Sequence, residues 1–334
     1  MNSANVYQSA FDKTQKAKAS RLSFGEELAE LGSVDSRIVV LDADLSKSTR
    51  TDIFAGKFAD RFFNMGIAEA NLIGTAAGLA NAGMIPFAAS FGCFLTGRFD
   101  QIRMSVAFAG ANVKLVGTHA GVGIGEDGHS QMALEDLTLM RVLPGMTVFQ
   151  PADDYDTRSF LKWSVAHKGP VYMRLTRQNL PALARKKDAQ QFSVGKWQLL
   201  TEGNSESPIV VFATGSLVGP SIEAAEKLSQ KLNASIEVVN ANWIQPYDEF
   251  MLSEFAERKA KLWVSVEDHY VTGGLGGLIS EWMASRGCPA RLLKIGVSDF
   301  GQSGTPEVNS QAYGFTPEGI FEKISLAFEN LNSR

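Results

Sequence analysis

Glu69 is the only acidic residue between Asp60 and Asp100. It lies in Met65-Gly66-Ile67-Ala68-Glu69-Ala70-Asn71, and the residues from there to Gly83 are almost all small or apolar. A carboxylate is costly to bury without a partner, and desolvation favours its protonated form. A protonated carboxyl donates a hydrogen bond, which suits proton-transfer chemistry on a ligand. The other reading is a surface glutamate opening a helix, where the N-terminal dipole stabilises negative charge.

Four further segments carry groups of chemical interest. They are Asp42-Ala43-Asp44-Leu45-Ser46-Lys47-Ser48-Thr49, Ser90-Phe91-Gly92-Cys93-Phe94, Thr118-His119 through the glycine-rich run to Gln131, and Arg174-Leu175-Thr176-Arg177. Each falls where a strand should end, the usual place for sites in open α/β sheets. The glycines of the third segment allow close backbone approach. It is neither a phosphate-binding Walker loop nor a G-x-G-x-x-G fingerprint. His119 and His129 lack zinc spacing, and no G-x-S-x-G elbow occurs. Singly, His119 could be a core histidine, Phe91 and Phe94 core aromatics, and Arg177 a solvated charge.

Strands that would position these groups are expected at Arg37–Asp42, Met84–Ala88, Val113–Thr118, Met146–Gln150 and Val171–Leu175. Helical patterns fill the gaps at Ser23–Leu31, Ala68–Ala82, Asp100–Ala109, Gln131–Val142 and Tyr155–Ala166. Such alternation predicts a parallel sheet covered on both faces. Gln178–Gly195, with Arg185-Lys186-Lys187-Asp188, reads as an interdomain linker. A second, smaller α/β pattern follows. Its strands are Ile209–Ala213, Ile236–Asn240, Leu262–Val266 and Arg291–Ile295, and its helices are Leu217–Leu232, Gly274–Ser285 and Pro317 to about Leu331. The domain reading is a loosely ordered lead-in (1–18), a first domain (19–180), a linker (181–196) and a second domain (197–334).

The chain has 334 residues, 45% hydrophobic and 20% charged, with net charge -4 and no basic stripe. That composition fits a globular core and disfavours nucleic acid or anionic membrane as partners. Residues Ala70–Gly97 carry no formal charge, but Asn71, Thr75, Asn81, Pro86 and several glycines interrupt them. They read as a buried helix, turn and strand, not a membrane span. Two distant cysteines, Cys93 and Cys288, suit a reducing cytoplasm.

From about Ala19 onward the chain resembles transketolase. The resemblance rests on Gly66-Ile67-Ala68-Glu69, Phe99-Asp100-Gln101-Ile102-Arg103-Met104, Gly123-Ile124-Gly125-Glu126-Asp127-Gly128, Ser130-Gln131-Met132-Ala133-Leu134-Glu135-Asp136 and Val266-Glu267-Asp268-His269-Tyr270. It implies the pyrimidine-binding domain and the smaller C-terminal domain, the C-terminal half of an ordinary transketolase. It makes Glu69 the carboxyl that hydrogen-bonds N1′ of thiamine diphosphate and favours the imino tautomer, whose 4′-nitrogen removes the C2 proton. Phe91 and Phe94 match the aromatics around the aminopyrimidine, with Phe94 the better stacking partner. Arg21, Ser48, His119 and Arg177 match the sugar-phosphate end, where a bidentate arginine suits the terminus. His119 is also carried over as a catalytic residue. Asp127 matches the aspartate that reads the donor hydroxyl, and Gln131 stands four residues on. Two positions depart from the pattern: His129 stands where the family usually has Pro, and Gly97 replaces a Tyr of several members.

Thiamine enzymes bind diphosphate and a divalent metal through a Gly-Asp-Gly segment, which this chain lacks. The resemblance therefore implies a second polypeptide, an N-terminal transketolase subunit that supplies the diphosphate ligands and the Mg²⁺ or Ca²⁺, most simply as α2β2. The expected activity is transfer of a two-carbon ketol unit from a ketose phosphate to an aldose. The alternatives are a transketolase-like enzyme for a branched or sulfonated sugar, the β subunit of a 2-oxo acid dehydrogenase, or a catalytically silent subunit. Glu267-Asp268-His269 and Gly273-Gly274 are expected either to help assembly or to form a strand end and a helix-start turn.

Overall fold

The computed structural model describes residues 3–185, 192–201, 207–258 and 260–333. The first sheet runs in the order Trp243–Gln245, Thr147–Phe149, Val171–Arg174, Lys114–Thr118, Ile85–Phe91, Ile38–Asp42, Phe62–Asn64. All neighbours are parallel except Trp243–Gln245. Every residue of Ile38–Asp42, Ile85–Phe91 and Lys114–Thr118 is buried, as expected of strands covered on both faces. The chain leaves Ile38–Asp42 for Phe62–Asn64 on one side and returns to Ile85–Phe91 on the other. That reversal opens a crevice at the carboxyl ends of these strands.

The second sheet has the order Arg291–Val297, Leu262–Tyr270, Ile209–Ala213, Glu237–Asn240, Gln198–Leu199, with the last strand antiparallel. Strand and helix positions agree with the sequence pattern over most of both sheets. The fold is α/β in both parts. No helix among the described residues is long and apolar enough to cross a membrane.

Several expectations need correction. The helix expected over Gln131–Val142 begins only at Asp136. Met132-Ala133-Leu134 is apolar at helical spacing, yet Ala133 bridges Ala120, and Leu134 accepts from Tyr270 N–H at 2.8 Å. Asp100–Ala109 becomes a short α-turn, Phe99–Gln101, and a π-helix, Ile102–Phe108. The lead-in is not loose: helix Ser3–Gln8 is present, and buried Tyr7 exchanges two 2.9 Å hydrogen bonds with the backbone of Ile236. The linker's start is equally anchored. Asn179–Leu180 pairs with Lys18–Ala19, and Arg185 binds Asp153 and Asp156. Lys186-Lys187-Asp188 lies outside the described residues. Glu267-Asp268-His269 and Gly273-Gly274 form the strand end and helix-start turn that was one of their two expected roles: Glu267 accepts from Leu275 N–H and Gly276 N–H at 2.7 and 2.8 Å.

The two sheets meet at a buried ion pair. Arg174 Nε lies 2.8 Å from Asp136 Oδ2, with neither side chain exposed. Tyr172 donates to Asp136 at 2.7 Å, and Arg174 Nη2 donates to the carbonyls of Ala133 and Asp268, each at 2.8 Å. Removing one member of a buried pair strands the other charge. Arg174→Ala should therefore cost about 3–5 kcal/mol of stability, read by urea unfolding. A loss below about 1 kcal/mol, the scale of a surface pair, would contradict this account.

Candidate active site

Glu69 is the first residue of helix Glu69–Asn81 and is only 7% exposed. The loop before it is set by local hydrogen bonds. Met65 N–H donates to Asp42 O, Asn64 Nδ2 to Asp44 Oδ1, and Gly66 N–H to Asn64 Oδ1. Gly66 turns the chain with φ +68°, a conformation that favours glycine. Ser90 Oγ donates to Glu69 Oε1 at 3.3 Å. The carboxyl lines a cleft of about 390 Å³ with Ile67, Ala68, Ala70, Arg98, Asp100 and Gln101.

A chain of hydrogen bonds leads away from Ser90. Arg21 Nη1 donates to His119 Nε2 at 3.2 Å. A guanidinium only donates, so Nε2 accepts, and in the neutral ring the proton sits on Nδ1. Nδ1 then donates to Thr118 Oγ1 at 2.9 Å, and Thr118 donates to Ser90 O at 3.3 Å. Burial pushes the His119 imidazole down to about 3, helped by the charges of Arg21 and Arg177. His119 is 3% exposed, and its φ of +58° is uncommon outside glycine. Its ring stacks on Phe91 at 4.0 Å, and Phe91 stacks on the partly exposed Phe94 at 5.6 Å and 9°.

The positive end of the site is built from separated segments. Arg21 Nη1 also donates to Ser48 O at 2.8 Å. Ser48 therefore contributes its carbonyl to this framework. Arg177 donates to Ile124 O at 2.9 Å and stands 3.9 Å from Asp127. Burial lowers the Arg21 pKa, and so do the charges of Arg177 and Arg50. Such crowded guanidinium groups favour an anionic ligand. Gln131 ends the turn His129–Gln131, and among the described residues no hydrogen bond joins its side chain to the other site groups. The short helix Gly92–Thr96, which carries Phe94, packs on that turn.

Sequence reasoning quoted the segments that hold Asp42, Ser90 and Thr118 without giving those residues a role, and it passed over Arg50. Ser90 and Thr118 carry the hydrogen bonds, Arg50 adds charge, and buried Asp42 binds Thr49, Thr51 and Leu45 N–H to shape the Ser48 loop. Asp42, Ser90 and Thr118 are small or acidic residues at or next to strand ends, a signal too common to single them out. Cys93 is no nucleophile at neutral pH, because burial pushes its thiol up to about 12. At Gly97 an added Cβ would lie 2.8 Å from Cys93 O, so a side chain there needs a shifted helix end. Among the described residues no cluster of three His, Cys, Asp or Glu could hold a metal.

Residues 16–182 match the transketolase pyrimidine-binding domain, and residues 195–320 match the transketolase C-terminal domain. The chain is 42% identical to a putative transketolase C-terminal section of Methanocaldococcus jannaschii, covering 92% of this chain and 95% of that one. It belongs to the transketolase family. It is also 37% identical to a 6-deoxy-6-sulfo-D-fructose transketolase subunit of Clostridium sp., over 94% and 96% of the two chains. Mouse transketolase is 34% identical, but this chain spans only 48% of its length. Among solved structures, a split gene transketolase described as an inactive β4 tetramer superposes with TM-score 0.82 at 41% identity, covering 92% of this chain and 98% of that one. Pichia stipitis transketolase has the same fold, with TM-score 0.81 at 22% identity, covering 100% of this chain and 49% of that one.

A pyrimidine-binding domain of this family implies thiamine diphosphate. The residues present fit it: Glu69 offers a carboxyl to an open cleft, and Phe94 is a partly exposed ring on the short helix Gly92–Thr96, which packs on the helix that Glu69 opens.

His119 should stay neutral across the working pH range. Its ordinary pKa is 6.5, so below that pH the unfolded chain takes up a proton that the folded site refuses. The stability from this group is complete above pH 6.5 and is lost progressively as pH falls towards 3. Imidazole chemical shifts followed by NMR should show no titration between pH 5 and 8. A midpoint near 6.5 would contradict this environment.

Proposed function

We propose that this chain is the C-terminal subunit of a split, thiamine diphosphate-dependent transketolase. It transfers a two-carbon ketol unit from a ketose phosphate to an aldose acceptor. The observation that carries this reading is the single hydrogen-bonded array from Glu69 through Ser90, Thr118 and His119 to Arg21. It spans the distance from a cofactor carboxyl to a guanidinium cluster suited to a phosphate.

Thiamine diphosphate, when bound, would supply the electron sink for carbon–carbon cleavage. The work of this chain is placement. Glu69 would hydrogen-bond N1′ of the aminopyrimidine, and Phe94, backed by Phe91, would hold the ring. Arg21 and Arg177 bind the terminal anion beside Ser48. His119, kept neutral, accepts from Arg21 and so fixes the guanidinium that meets the anion; both of its ring nitrogens are engaged within the chain, so it serves the sugar end through Arg21. Asp127 and Gln131 orient the hydroxyl beside the donor carbonyl.

The Gly-Asp-Gly diphosphate segment is absent from the sequence. A partner with the diphosphate domain and its Mg²⁺ or Ca²⁺ completes the site, as α2β2. The solved relative of 41% identity, described as an inactive β4 tetramer of a split gene transketolase, supports this reading. Two free thiols, Cys93 and Cys288, suit a cytoplasmic setting. A second reading changes only the terminal group. The Clostridium subunit is a sulfosugar transketolase, and guanidinium groups accept a sulfonate as readily in geometry as a phosphate.

Ketol transfer from a pentulose phosphate should need this chain, its partner, thiamine diphosphate and Mg²⁺ together. Transfer only from a sulfonated ketose would select the second reading, and decarboxylation of pyruvate would overturn both. Glu69→Ala in the assembled enzyme should lose ~10²-fold or more in kcat. Full activity of that variant would remove Glu69 from the mechanism.

A further inference from the structure

His129 occupies the middle of the segment that carries Asp127 and Gln131. Its Nδ1 accepts from Gly301 N–H at 3.1 Å, and its ring meets Phe300 edge-on at 4.6 Å. Both partners belong to the loop that follows strand Arg291–Val297 of the second domain. The same loop holds the other side of Asp127, since Ser303 Oγ donates to Glu126 O at 2.6 Å. Glu126 and Asp127 therefore hang between two anchors supplied by residues 300–303.

The segment needs such anchors. Gly125 and Gly128 flank it with φ of +92° and +76°, and glycine backbones lose the most conformational freedom on ordering. Asp127 is exposed, and among the described residues its one ionic contact is the 3.9 Å approach of Arg177. Left to its own contacts, its carboxylate would sample many positions. The base of the loop is secured separately, because Asn309 Nδ2 donates to Val122 O at 3.1 Å and Asp268 accepts from Val122 N–H at 2.8 Å. Loss of the His129 contact would thus free the tip without unfolding its base.

We propose that His129 is a positioning residue through which the second-domain loop 300–303 sets the place of Asp127 and Gln131 for reading the donor sugar. This rests on the role of Asp127 given above. The second domain then takes part in substrate recognition without touching substrate. His129 acts as a hydrogen-bond acceptor.

Two variants separate this role from packing. His129→Phe keeps an aromatic edge against Phe300 and removes the acceptor. His129→Asn keeps an acceptor and removes the ring. Both are assayed in the complete enzyme with its partner, thiamine diphosphate and Mg²⁺, and Asp127→Ala is measured alongside. His129→Phe should raise the donor KM about 5- to 10-fold, the scale of one lost hydrogen bond, with kcat and acceptor KM within about 2-fold. His129→Asn should stay within about 2-fold of the parent throughout.

Amide hydrogen exchange of the assembled enzyme gives the second readout. Gly301 N–H should be protected in the parent and in His129→Asn, and should exchange faster in His129→Phe. Unchanged exchange in His129→Phe overturns the anchor whatever the sugar. Faster exchange with an unchanged donor KM, while Asp127→Ala raises that KM, overturns the positioning role. If Asp127→Ala also leaves the donor KM unchanged, the assignment of Asp127 has failed, and the exchange result alone decides the anchor.

Discussion

Arg174 and Asp136 form an ion pair that no solvent reaches, and the site depends on how that pair is satisfied. Burying two charges is expensive, and their attraction offsets the cost only when the remaining donors and acceptors are also bonded. Here the extra partners are Tyr172, which donates to the carboxylate, and the carbonyls of Ala133 and Asp268, which accept from the guanidinium, while Arg174 Nη1 is buried without a hydrogen-bond partner among the described residues. Ala133 follows the glycine-rich segment by two residues, and Asp268 belongs to the second domain. One guanidinium therefore ties a central strand, the chain just past the glycine-rich segment and the neighbouring domain into one arrangement.

Asp268 extends that tie. Its carboxylate accepts from Val122 N–H at 2.8 Å, and Gly121 lies so close that an added Cβ would stand 2.1 Å from Asp268 Oδ2. Gly121 also has φ +87°, so space and backbone both require glycine there. The buried carboxylate holds the first turn of the loop, and loop 300–303 holds its tip. The second domain is thus a brace for the loop as much as a separate folding unit.

At the far end of the site, positive charge governs the histidine as well as the ligand. Burial and two neighbouring arginines keep His119 neutral, and the donor-only chemistry of Arg21 selects the tautomer. The ring can therefore accept from Arg21 and donate to Thr118 at once. Desolvation, charge and stacking against Phe91 all favour one state of one ring. That agreement between levels is what a preorganised site requires.

The central strands were legible because each is a continuous apolar run ending in polar residues, as a strand covered on both faces must be. Glu69 was legible because a lone carboxyl in an apolar neighbourhood conflicts with burial unless it has a task. Met132-Ala133-Leu134 misled, since apolar spacing alone does not reveal that Ala120 and Tyr270 will bond its backbone. Tyr7 and Asn179–Leu180 misled for the same reason: their partners, Ile236 and Lys18–Ala19, are distant in sequence. By itself, the sequence determined the α/β class, the strand ends that carry the site, and the chemical types of Glu69, Phe94, His119, Arg21 and Arg177. Only the tertiary structure decided the ring state of His119, the bond from Ser90 to Glu69 and the hold of loop 300–303 on His129. Periodicity and residue type report whether a side chain faces a core, whereas a hydrogen bond depends on distance and direction between groups that only folding brings together.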